Sequence, residues 1–262
     1  IATTLRIGQG QSERSGWLIA RFDEARWRVT LTVSDSLGDV LPAVMAAVRV
    51  LLDLDADPQA INAVLHERFP AGDGLRLPGA LDGFSLAVRT VLGQQVTVAA
   101  ARTLCNRLAQ RFGQAMETPV AGLNRLFPDA QVLGDANCDA LGQLGIVRQR
   151  QKAILALAQA VCRHALQLQP GADVSQTLVD LQALPGIGDW TAQYIAMRAL
   201  AWPDAFPAGD VALQKALGVQ DQPDAARAAR LASVAWRPWR SYAVIRAWAS
   251  LPETGQSTQL TS

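Results

Sequence analysis

Apolar residues near the start of the chain follow a period of two. In the stretch 17–33, WLIARFDEARWRVTLTV, four apolar side chains alternate on one face, Trp27, Val29, Leu31 and Val33. Such alternation is typical of a strand with one buried face. The DEA segment predicts a turn from a preceding strand, so the sequence predicts a small sheet here.

The pattern then changes to the 3.6-residue period of helices. A first apolar helical face recurs at Val40, Leu41, Val44, Val48 and Leu51. A second helix is predicted to begin with Asp57 as its N-cap and Pro58 as its first residue. From about Leu81 onward, glycines stand where the periodic segments stop, as C′ residues do: Gly93, Gly113, Gly145 and Gly218. We therefore predict a mainly α fold with a small N-terminal α+β sheet domain, and a frayed polar tail over 254–262.

Composition limits the classes of protein that the chain can belong to. Half of its 262 residues are apolar, and 24 Lys and Arg face 23 Asp and Glu, for a net charge of +1. This favours a globular protein with one large or two to three small domains. No apolar run is long enough to cross a bilayer, and no secretion signal is apparent, although the chain begins with Ile1 rather than Met.

Cysteine and histidine predict no metal site. Cys105, Cys138 and Cys162 are odd in number and widely spaced, which fits neither a disulfide framework nor a metal knuckle, so a reducing cytoplasm is expected. His66 and His164 have no metal-ligand spacing, and we interpret them as surface or structural residues.

The segment LPGIGDW, residues 184–190, predicts a tight turn between two helices. An apolar face ends before it at Leu178, Leu181 and Leu184, and another follows at Thr191, Ile195 and Ala199. Gly186 and Gly188 permit positive φ and close approach of another chain, while the first N–H groups of the second helix lack internal partners. Such a turn can bind a phosphate through main-chain donors. The other interpretation is an ordinary helix–helix turn with a glycine cap.

Asp210 is the candidate for electrostatic chemistry. It lies 22 residues beyond Gly188, in FPAGDVALQKALG, where it is predicted to cap a short helix that Gly218 closes. A carboxylate at a helix N-terminus is stabilised as an anion, as is needed to stabilise a nearby developing cation. Both roles are compatible.

These stretches together resemble a known family. GLRLPGALDGFSLAVRTVLGQQVTVAAARTL, LPGIGDWTAQYIAMRAL, FPAGD and WRPWRSYAVIRAWA are similar to the helix-hairpin-helix DNA glycosylases, and among them to the bacterial 3-methyladenine DNA glycosylase II group. The resemblance covers about residues 37–250. The strand-rich start resembles the family's N-terminal sheet domain with its first part missing, and a start at Ile1 fits a piece of a fusion with an alkylation-response regulator.

The resemblance implies a fold and a division into domains. The expected fold is that of the helix-hairpin-helix glycosylases. An N-terminal sheet domain is expected over 1–58 and the helix-hairpin-helix domain over 83–202. A second helical domain would combine 59–82 with 203–253.

The resemblance also implies an activity. It is that of a monofunctional DNA glycosylase, which hydrolyses the N-glycosidic bond of alkylated, cationic purines such as 3-methyladenine in base excision repair. Asp210 would be catalytic, and Trp190, Tyr194 and Trp248 would line an aromatic pocket for the flipped base, although core packing also explains such aromatics. Strand-cutting relatives carry a lysine where this chain has Trp190, so no Schiff base is expected. The alternatives are a bifunctional glycosylase/lyase and a non-enzymatic helix-hairpin-helix module that only binds DNA.

The expected DNA contacts are local, because a net charge of +1 provides no basic footprint. The resemblance assigns the hairpin residues Gly186, Ile187, Gly188 and Thr191 to the phosphate backbone. Gln95, in LGQQVT, occupies the place where relatives insert an often apolar wedge into the gap left by the flipped base, but a plain surface loop is an equal interpretation. Arg148, with Arg150 and Lys152, forms the best basic cluster or else a solvated helix face.

Partners and cofactors follow from the same resemblance. No cofactor is expected to be required. A structural Na⁺ or K⁺ at the hairpin would be held by the carbonyls of Gln182, Leu184 and Ile187. The partner would be double-stranded DNA that contains alkylated bases, bound by a monomer at the nucleoid of a bacterial cytoplasm. Arg240 would support the pocket or a phosphate, and Trp236, Trp239 and Tyr242 would pack in the core.

Overall fold

A three-stranded antiparallel sheet begins the fold. The computed structural model describes residues 1–8 and 10–252, so the predicted tail 254–262 lies outside the described residues. The strands are β1 (Ala2–Ile7), β2 (Arg14–Asp23) and β3 (Arg28–Val33), in the order β1-β2-β3. Leu18 of β2 pairs with Val33 of β3 and also with Thr3 of β1, so β2 is the central strand.

The predicted alternation holds for β3 but not for the turn before it. Val29, Leu31 and Val33 pack against a small core that includes Leu18. Trp27, by contrast, was expected on the same face, and that prediction was wrong. It ends the turn with a left-handed backbone, φ 50°, and its side chain is 95% exposed, because the turn takes it out of the pleated strand.

Helices make up most of the remaining chain, as predicted. Their bounds are α1 (Leu41–Leu51), α2 (Pro58–Leu65), α3 (Gly83–Gly93), α4 (Val98–Phe112), α5 (Ala130–Gly134), α6 (Cys138–Gly142), α7 (Arg148–Cys162), α8 (Val174–Ala183), α9 (Asp189–Ala199), α10 (Val211–Leu217), α11 (Ala225–Ala232) and α12 (Arg240–Ala249). Asp57 caps α2 as predicted, since its carboxylate accepts from the N–H groups of Gln59 and Ala60.

The four glycines predicted at helix ends divide into two pairs. Gly218 and Gly145 have left-handed backbones, φ +72° and +84°, as C′ residues do. Gly93 and Gly113 also mark helix ends, but without a left-handed residue, so the prediction was wrong in that detail. At Gly113 a Cβ would lie 2.3 Å from the Leu126 carbonyl oxygen, so close backbone approach explains this glycine.

Three hydrophobic cores position the functional residues. The first packs the sheet against α1, the second lies among α3, α4, α7, α8 and α9, and the third joins α2 to α9, α10, α11 and α12. Helix α9 serves two of these cores, because Ala192 and Ile195 face the second and Tyr194 and Met197 face the third. In the described part of the chain, no helix is both long and apolar enough to cross a membrane.

Candidate functional site

The predicted hairpin joins α8 to α9 through residues 184–188, called the hairpin turn below. Gly186 has φ +79°, and an added Cβ there would lie 3.3 Å from the Ala153 Cβ. Gly188 is the N-cap of α9 in an extended conformation, φ −91°, with nothing within 4 Å of an added Cβ. Of the two glycines, which both permit positive φ, only Gly186 adopts it, because Gly188 has the extended backbone typical of an N-cap.

The start of α9 presents main-chain donors. Gly188, as N-cap, has no side chain to accept from the first N–H groups of the helix. Ile187 and Thr191 are only 5% and 3% exposed, so their side chains lie in the interior, and a contact from these positions would use the main chain. Asp189, the first residue of α9, forms an exposed ion pair with Arg230, 3.2 Å between Nη2 and Oδ2.

Both oxygens of the Asp210 carboxylate are held by hydrogen bonds. Asp210 is the N-cap of α10, as predicted, and its Oδ1 accepts from the Leu213 N–H at 2.6 Å. Oδ2 accepts from the indole Nε1 of Trp190 at 2.9 Å, and Oδ1 also accepts from the Nε1 of Trp248 at 3.1 Å. Three separate segments thus meet at one carboxylate, and its position is set by three N–H donors.

The three predicted pocket aromatics form a connected group. The rings of Trp190 and Tyr194 stack with centroids 5.4 Å apart, and those of Tyr194 and Trp248 lie 6.4 Å apart at 41°. Trp190 and Trp248 are half-buried, whereas Tyr194 is 3% exposed. The indoles therefore have surface left for a ligand, and Tyr194 supports them from inside.

Arg198 lies behind Tyr194, where sequence reasoning did not place a charged group. Its guanidinium carbon is 5.7 Å from the Tyr194 ring centroid, and Nη1 donates to the Tyr194 hydroxyl at 3.3 Å. Burial raises the pKa of Tyr194, Arg198 lowers that pKa and Asp210 raises it, with burial the largest effect. The phenol therefore stays neutral at physiological pH.

The segment that leads to Asp210 is fastened to α12. Arg240 binds the Asp204 carboxylate through two nitrogens, with Nε–Oδ1 2.6 Å and Nη2–Oδ2 2.8 Å. Such a bidentate pair, 12–13% exposed, is geometrically specific. Arg240 therefore ties the segment before Asp210 to α12. Trp236, Trp239 and Tyr242 pack in the interior, as predicted.

The turn between α3 and α4 carries Gln95 and reaches the hairpin. Gln95 is exposed, with a left-handed backbone of φ 52°. Its neighbour Gln94 donates from Nε2 to the Gly186 carbonyl and to the Thr191 hydroxyl, each at 3.0 Å. Arg150 donates to the main-chain carbonyl of Gln94, so it is not a free cation of the predicted basic cluster. Arg148, the first residue of α7, is exposed.

Residues 88–240 match the family described as the HhH-GPD superfamily base excision DNA repair protein, and residues 1–82 match the AlkA N-terminal domain. The first match covers more than half of the chain and contains the hairpin turn and Asp210. The chain belongs to the HhH-GPD superfamily.

Curated members of the superfamily are similar over most of the chain. DNA-3-methyladenine glycosylase 2 of Escherichia coli strain K12 is 35% identical over 247 residues, which cover 94% of this chain and 84% of the relative. A "Probable bifunctional transcriptional activator/DNA repair enzyme AlkA" of Mycobacterium tuberculosis is 40% identical over 227 residues, 84% of this chain. The match spans only 45% of that longer relative.

Solved structures of HhH-GPD proteins share the fold. The 3-methyladenine DNA glycosylase of Archaeoglobus fulgidus superimposes with a TM-score of 0.74 at 18% identity, over 95% of this chain and 86% of that one. An 8-oxoguanine glycosylase/lyase of Clostridium acetobutylicum, in complex with double-stranded DNA, has a TM-score of 0.68 at 14% identity, over 94% and 87% of the two chains.

Several residues of this HhH-GPD site were not predicted from sequence. They are Gln94, Asp189, Arg198, Asp204 and Arg230. Except for Arg198, each acts through a partner more than thirty residues away in sequence, so no local spacing indicated it. Arg198 follows its partner Tyr194 by four residues, and this spacing was not used in the sequence analysis. The sequence offered one signal for Gln94, which the sequence analysis did not use. In LGQQVT a second glutamine lies beside the candidate wedge Gln95.

Proposed function

We propose that this chain is a monofunctional DNA glycosylase of base excision repair. It hydrolyses the N-glycosidic bond between deoxyribose and an alkylated, cationic purine such as 3-methyladenine in double-stranded DNA. One observation carries the proposal: the Asp210 carboxylate accepts hydrogen bonds from two half-buried indoles, those of Trp190 and Trp248. The protein would act as a monomer on bacterial chromosomal DNA in the cytoplasm.

The hairpin turn would bind the DNA phosphate backbone. Main-chain N–H groups at the start of α9, together with the helix dipole, favour binding of a phosphate oxygen there. Such contacts do not depend on the base sequence of the DNA. Gly188 leaves open space for close approach of a phosphate. Since the turn and Trp190 are continuous in sequence, a phosphate held by the turn would lie near the carboxylate that Trp190 holds.

The carboxylate supplies the chemistry. When the bond to a cationic base breaks, positive charge develops on the sugar, and a fixed negative charge beside it lowers the barrier. The base leaves as a neutral molecule, and water adds to the sugar and gives up a proton. The hydrogen bonds from Trp190, Trp248 and Leu213 hold the charge in place before the reaction, so little reorganisation is needed.

A lyase step is not part of the proposal. The position directly after the hairpin turn and Asp189 is Trp190, and the chain has two lysines, Lys152 and Lys215. Lys215 lies in the last turn of α10, at the opposite end from its N-cap Asp210. An amine that attacks the sugar is therefore missing from the place where the carboxylate lies.

Cationic purines suit the two indoles. A positively charged ring over an indole face gains about 0.5–2 kcal/mol by cation–π attraction, depending on desolvation. This modest gain implies a broad range of labile, cationic lesions, with slight excision of normal purines, because discrimination depends mainly on the weakness of the glycosidic bond.

We further propose a monovalent cation, Na⁺ or K⁺, at the hairpin, held by the carbonyls of Gln182, Leu184 and Ile187. Gln182 lies in the last turn of α8, where carbonyl groups lack intrahelical partners and the helix dipole favours a cation. The Leu184 carbonyl accepts from the Ile187 N–H at 3.2 Å, and its second lone pair is compatible with a cation. DNA affinity compared in potassium and in tetramethylammonium buffers at equal ionic strength tests this site.

Release of free base tests the activity. Methylated duplex DNA incubated with the protein should release free 3-methyladenine, and strand breaks should appear only after alkali. Borohydride should trap no protein–DNA adduct. Strand breaks without alkali, or a trapped adduct, would assign the chain to the lyases, and binding without base release would assign it to the non-enzymatic modules.

A comparison of bases tests the pocket. Excision of 3-methyladenine, 7-methylguanine and unmodified guanine should be measured for the wild type and for Trp248→Ala. We expect the cationic bases to leave faster and the variant to be slower on all of them, because it loses both an aromatic face and a donor to Asp210. A neutral lesion that leaves far faster than both cationic bases would contradict the stacking account.

A further inference from the structure

Gln94 joins three elements that are distant in sequence. It is the C-cap residue of α3, and its Nε2 donates to the Gly186 carbonyl in the hairpin turn and to the Thr191 hydroxyl in the first turn of α9. These partners are 92 and 97 residues away. Both hydrogens of the amide group are therefore used to join the end of α3 to the hairpin turn and to the first turn of α9.

The main chain of Gln94 is fastened as well. Its carbonyl accepts from the guanidinium of Arg150 in α7, a charge-assisted bond. The residue is held at its side chain by the hairpin and at its backbone by α7. Since the Thr191 side chain is 3% exposed and Gln94 is half-buried, the contact lies largely away from solvent.

The next residue, Gln95, differs from Gln94 in its exposure and in its backbone conformation. Its side chain is exposed, and its backbone has φ 52°, a region that residues other than glycine adopt infrequently. Gln94 is fixed and Gln95 follows it with a defined left-handed backbone, so the direction in which the chain continues at Gln95 is defined as well. The position of Gln95 relative to the hairpin turn therefore depends on the bonds that Gln94 makes.

We propose that Gln94 is a positioning residue, which sets the exposed Gln95 side chain at a fixed distance from the phosphate site of the hairpin turn. This inference rests on the proposed function, in which a base leaves the stack and a side chain fills the gap. The hairpin turn binds the DNA backbone, and Gln94 fixes the Gln95 side chain, which enters the gap, relative to the hairpin turn. Gln94 itself does not touch the reacting atoms.

The test is a double-mutant cycle of Gln94→Met and Gln95→Ala. Methionine keeps the length of the side chain and removes both donated hydrogen bonds. We expect each single change to lower kcat for excision from duplex DNA about five- to tenfold, because Gln94→Met releases the position of the Gln95 side chain and Gln95→Ala removes that side chain. The double variant should be no slower than Gln95→Ala alone, because Gln94 acts through Gln95. Affinity for undamaged DNA should stay within about twofold of wild type, as expected when Gly188 and the donors of α9 are untouched.

A fluorescent base gives a readout that a purely structural role would not change. 2-Aminopurine placed next to the lesion brightens when the stack opens, and Gln94→Met should lower this signal at saturating protein. Gln151→Met is the matched control, because the Gln151 Nε2 also donates to a main-chain carbonyl, that of Ile146, away from the turn. It should leave kcat and the fluorescence change as in the wild type. Thermal unfolding of both variants checks that they fold.

The outcomes are distinguishable. Additive losses in the double variant, or no loss in Gln95→Ala, would overturn the proposal, because Gln94 would then act independently of Gln95. A weaker affinity of Gln94→Met for undamaged DNA with kcat unchanged would also overturn it, and would make Gln94 a support of the hairpin only. Absence of base release by the wild type is instead a failure of the proposed function, and the fluorescence signal still decides the role of Gln94.

Discussion

Asp210 is held so firmly that its charge can be removed with little change of shape. Asparagine also caps helices and can accept from the Leu213 N–H through its amide oxygen, although its NH2 group, at the position of Oδ2, cannot accept from the Trp190 indole. We expect Asp210→Asn to lower single-turnover excision by about 10²–10³-fold, as loss of one preorganised electrostatic group does. Affinity for DNA should stay near that of the wild type.

The matched control is Asp224→Asn. Asp224 caps α11 in the same way, through the Arg227 N–H, but has no indole partner. It should leave excision unchanged. Excision by Asp210→Asn near the wild-type rate would remove Asp210 from the catalytic role.

Asp189 is the second residue at which a charge can be tested. Its carboxylate lies at the proposed phosphate site, where it pairs with Arg230. Asp189→Asn removes a repulsive charge and frees the guanidinium, so DNA affinity should rise a few-fold at low salt, and the gain should shrink as salt increases. Fluorescence anisotropy over a salt series measures this.

The control for Asp189 is Asp139→Asn, which removes an acidic residue from the first turn of α6. Both changes weaken a helix-dipole interaction to a similar degree, but only Asp189 adjoins the hairpin turn. An equal gain in the two variants would mean that net charge alone, and not a phosphate at the hairpin turn, determines the effect.

Single residues were predictable from sequence where a motif carries them. Asp210 was predicted from its context as an N-cap, whereas its association with Trp190 and Trp248 was implied only by the resemblance to the helix-hairpin-helix glycosylases. Gln94 was not predictable, because its partners Gly186 and Thr191 are more than ninety positions away and only the fold brings them together. The ion pair between Asp189 and Arg230 was not predictable either, because the two residues are 41 positions apart.

The hairpin turn shows how two similar glycines serve an element differently. Gly186 needs its glycine for a left-handed backbone and for space beside Ala153, whereas Gly188 has an ordinary extended backbone and open space. We expect Gly186→Ala to destabilise the protein by about 1–2 kcal/mol, the cost of a left-handed L-residue, as measured by denaturant unfolding.

Gly188→Ala is the paired change in the same turn. It should destabilise the protein by less, about 0.5–1 kcal/mol, because its backbone suits any residue and only the better N-capping of glycine over alanine is lost. Its added methyl group should still lower DNA affinity, since it occupies the space that a phosphate approaches. If Gly188→Ala unfolds as easily as Gly186→Ala, the turn has a different backbone from the one described.

Elements were predictable from sequence where periodicity is long. The helices of the hairpin and the cap at Asp57 followed from apolar spacing and capping chemistry. Local patterns misled where tertiary contacts decide: Trp27 left the strand at a turn, and Gly113 is required by the approach of the Leu126 carbonyl rather than by a left-handed cap.

The first core is tied to the C-terminal helices by a polar contact across the molecule. The Tyr242 hydroxyl of α12 donates to the Asp53 carboxylate, 3.0 Å to Oδ2, and the Leu77 N–H donates to the same oxygen at 2.8 Å. Burial raises the pKa of Asp53 above its ordinary 3.8, although both hydrogen bonds lower it. The carboxylate therefore costs stability when it ionises, and this contact offsets part of the cost.

Tyr242→Phe should destabilise the whole fold in a pH-dependent way. A raised pKa means that the stability contributed by Asp53 is present at acid pH and is lost as pH rises through the folded pKa. Without the hydroxyl that pKa rises further, so the loss should be larger at pH 7, about 1–3 kcal/mol, than at pH 4. Urea unfolding at both pH values measures it.

Asp53→Asn provides the control for this prediction. It removes the titrating group, so Tyr242→Phe made in that background should show the same effect at both pH values. A loss that is larger at pH 4 in the original background would mean that the Tyr242 hydroxyl stabilises the protonated carboxyl rather than the carboxylate of Asp53.

The two indoles that hold Asp210 place a limit on how this protein can change. In the proposed function, each indole provides both a surface for a base and a donor for the carboxylate. A substitution at Trp190 or Trp248 that reshapes the surface for a new lesion would then also release the charge that is proposed to promote bond cleavage. Selection in the laboratory for a new lesion range should therefore collect its first changes at neighbours of the indoles, such as Arg198 behind Tyr194, and leave both tryptophans in place.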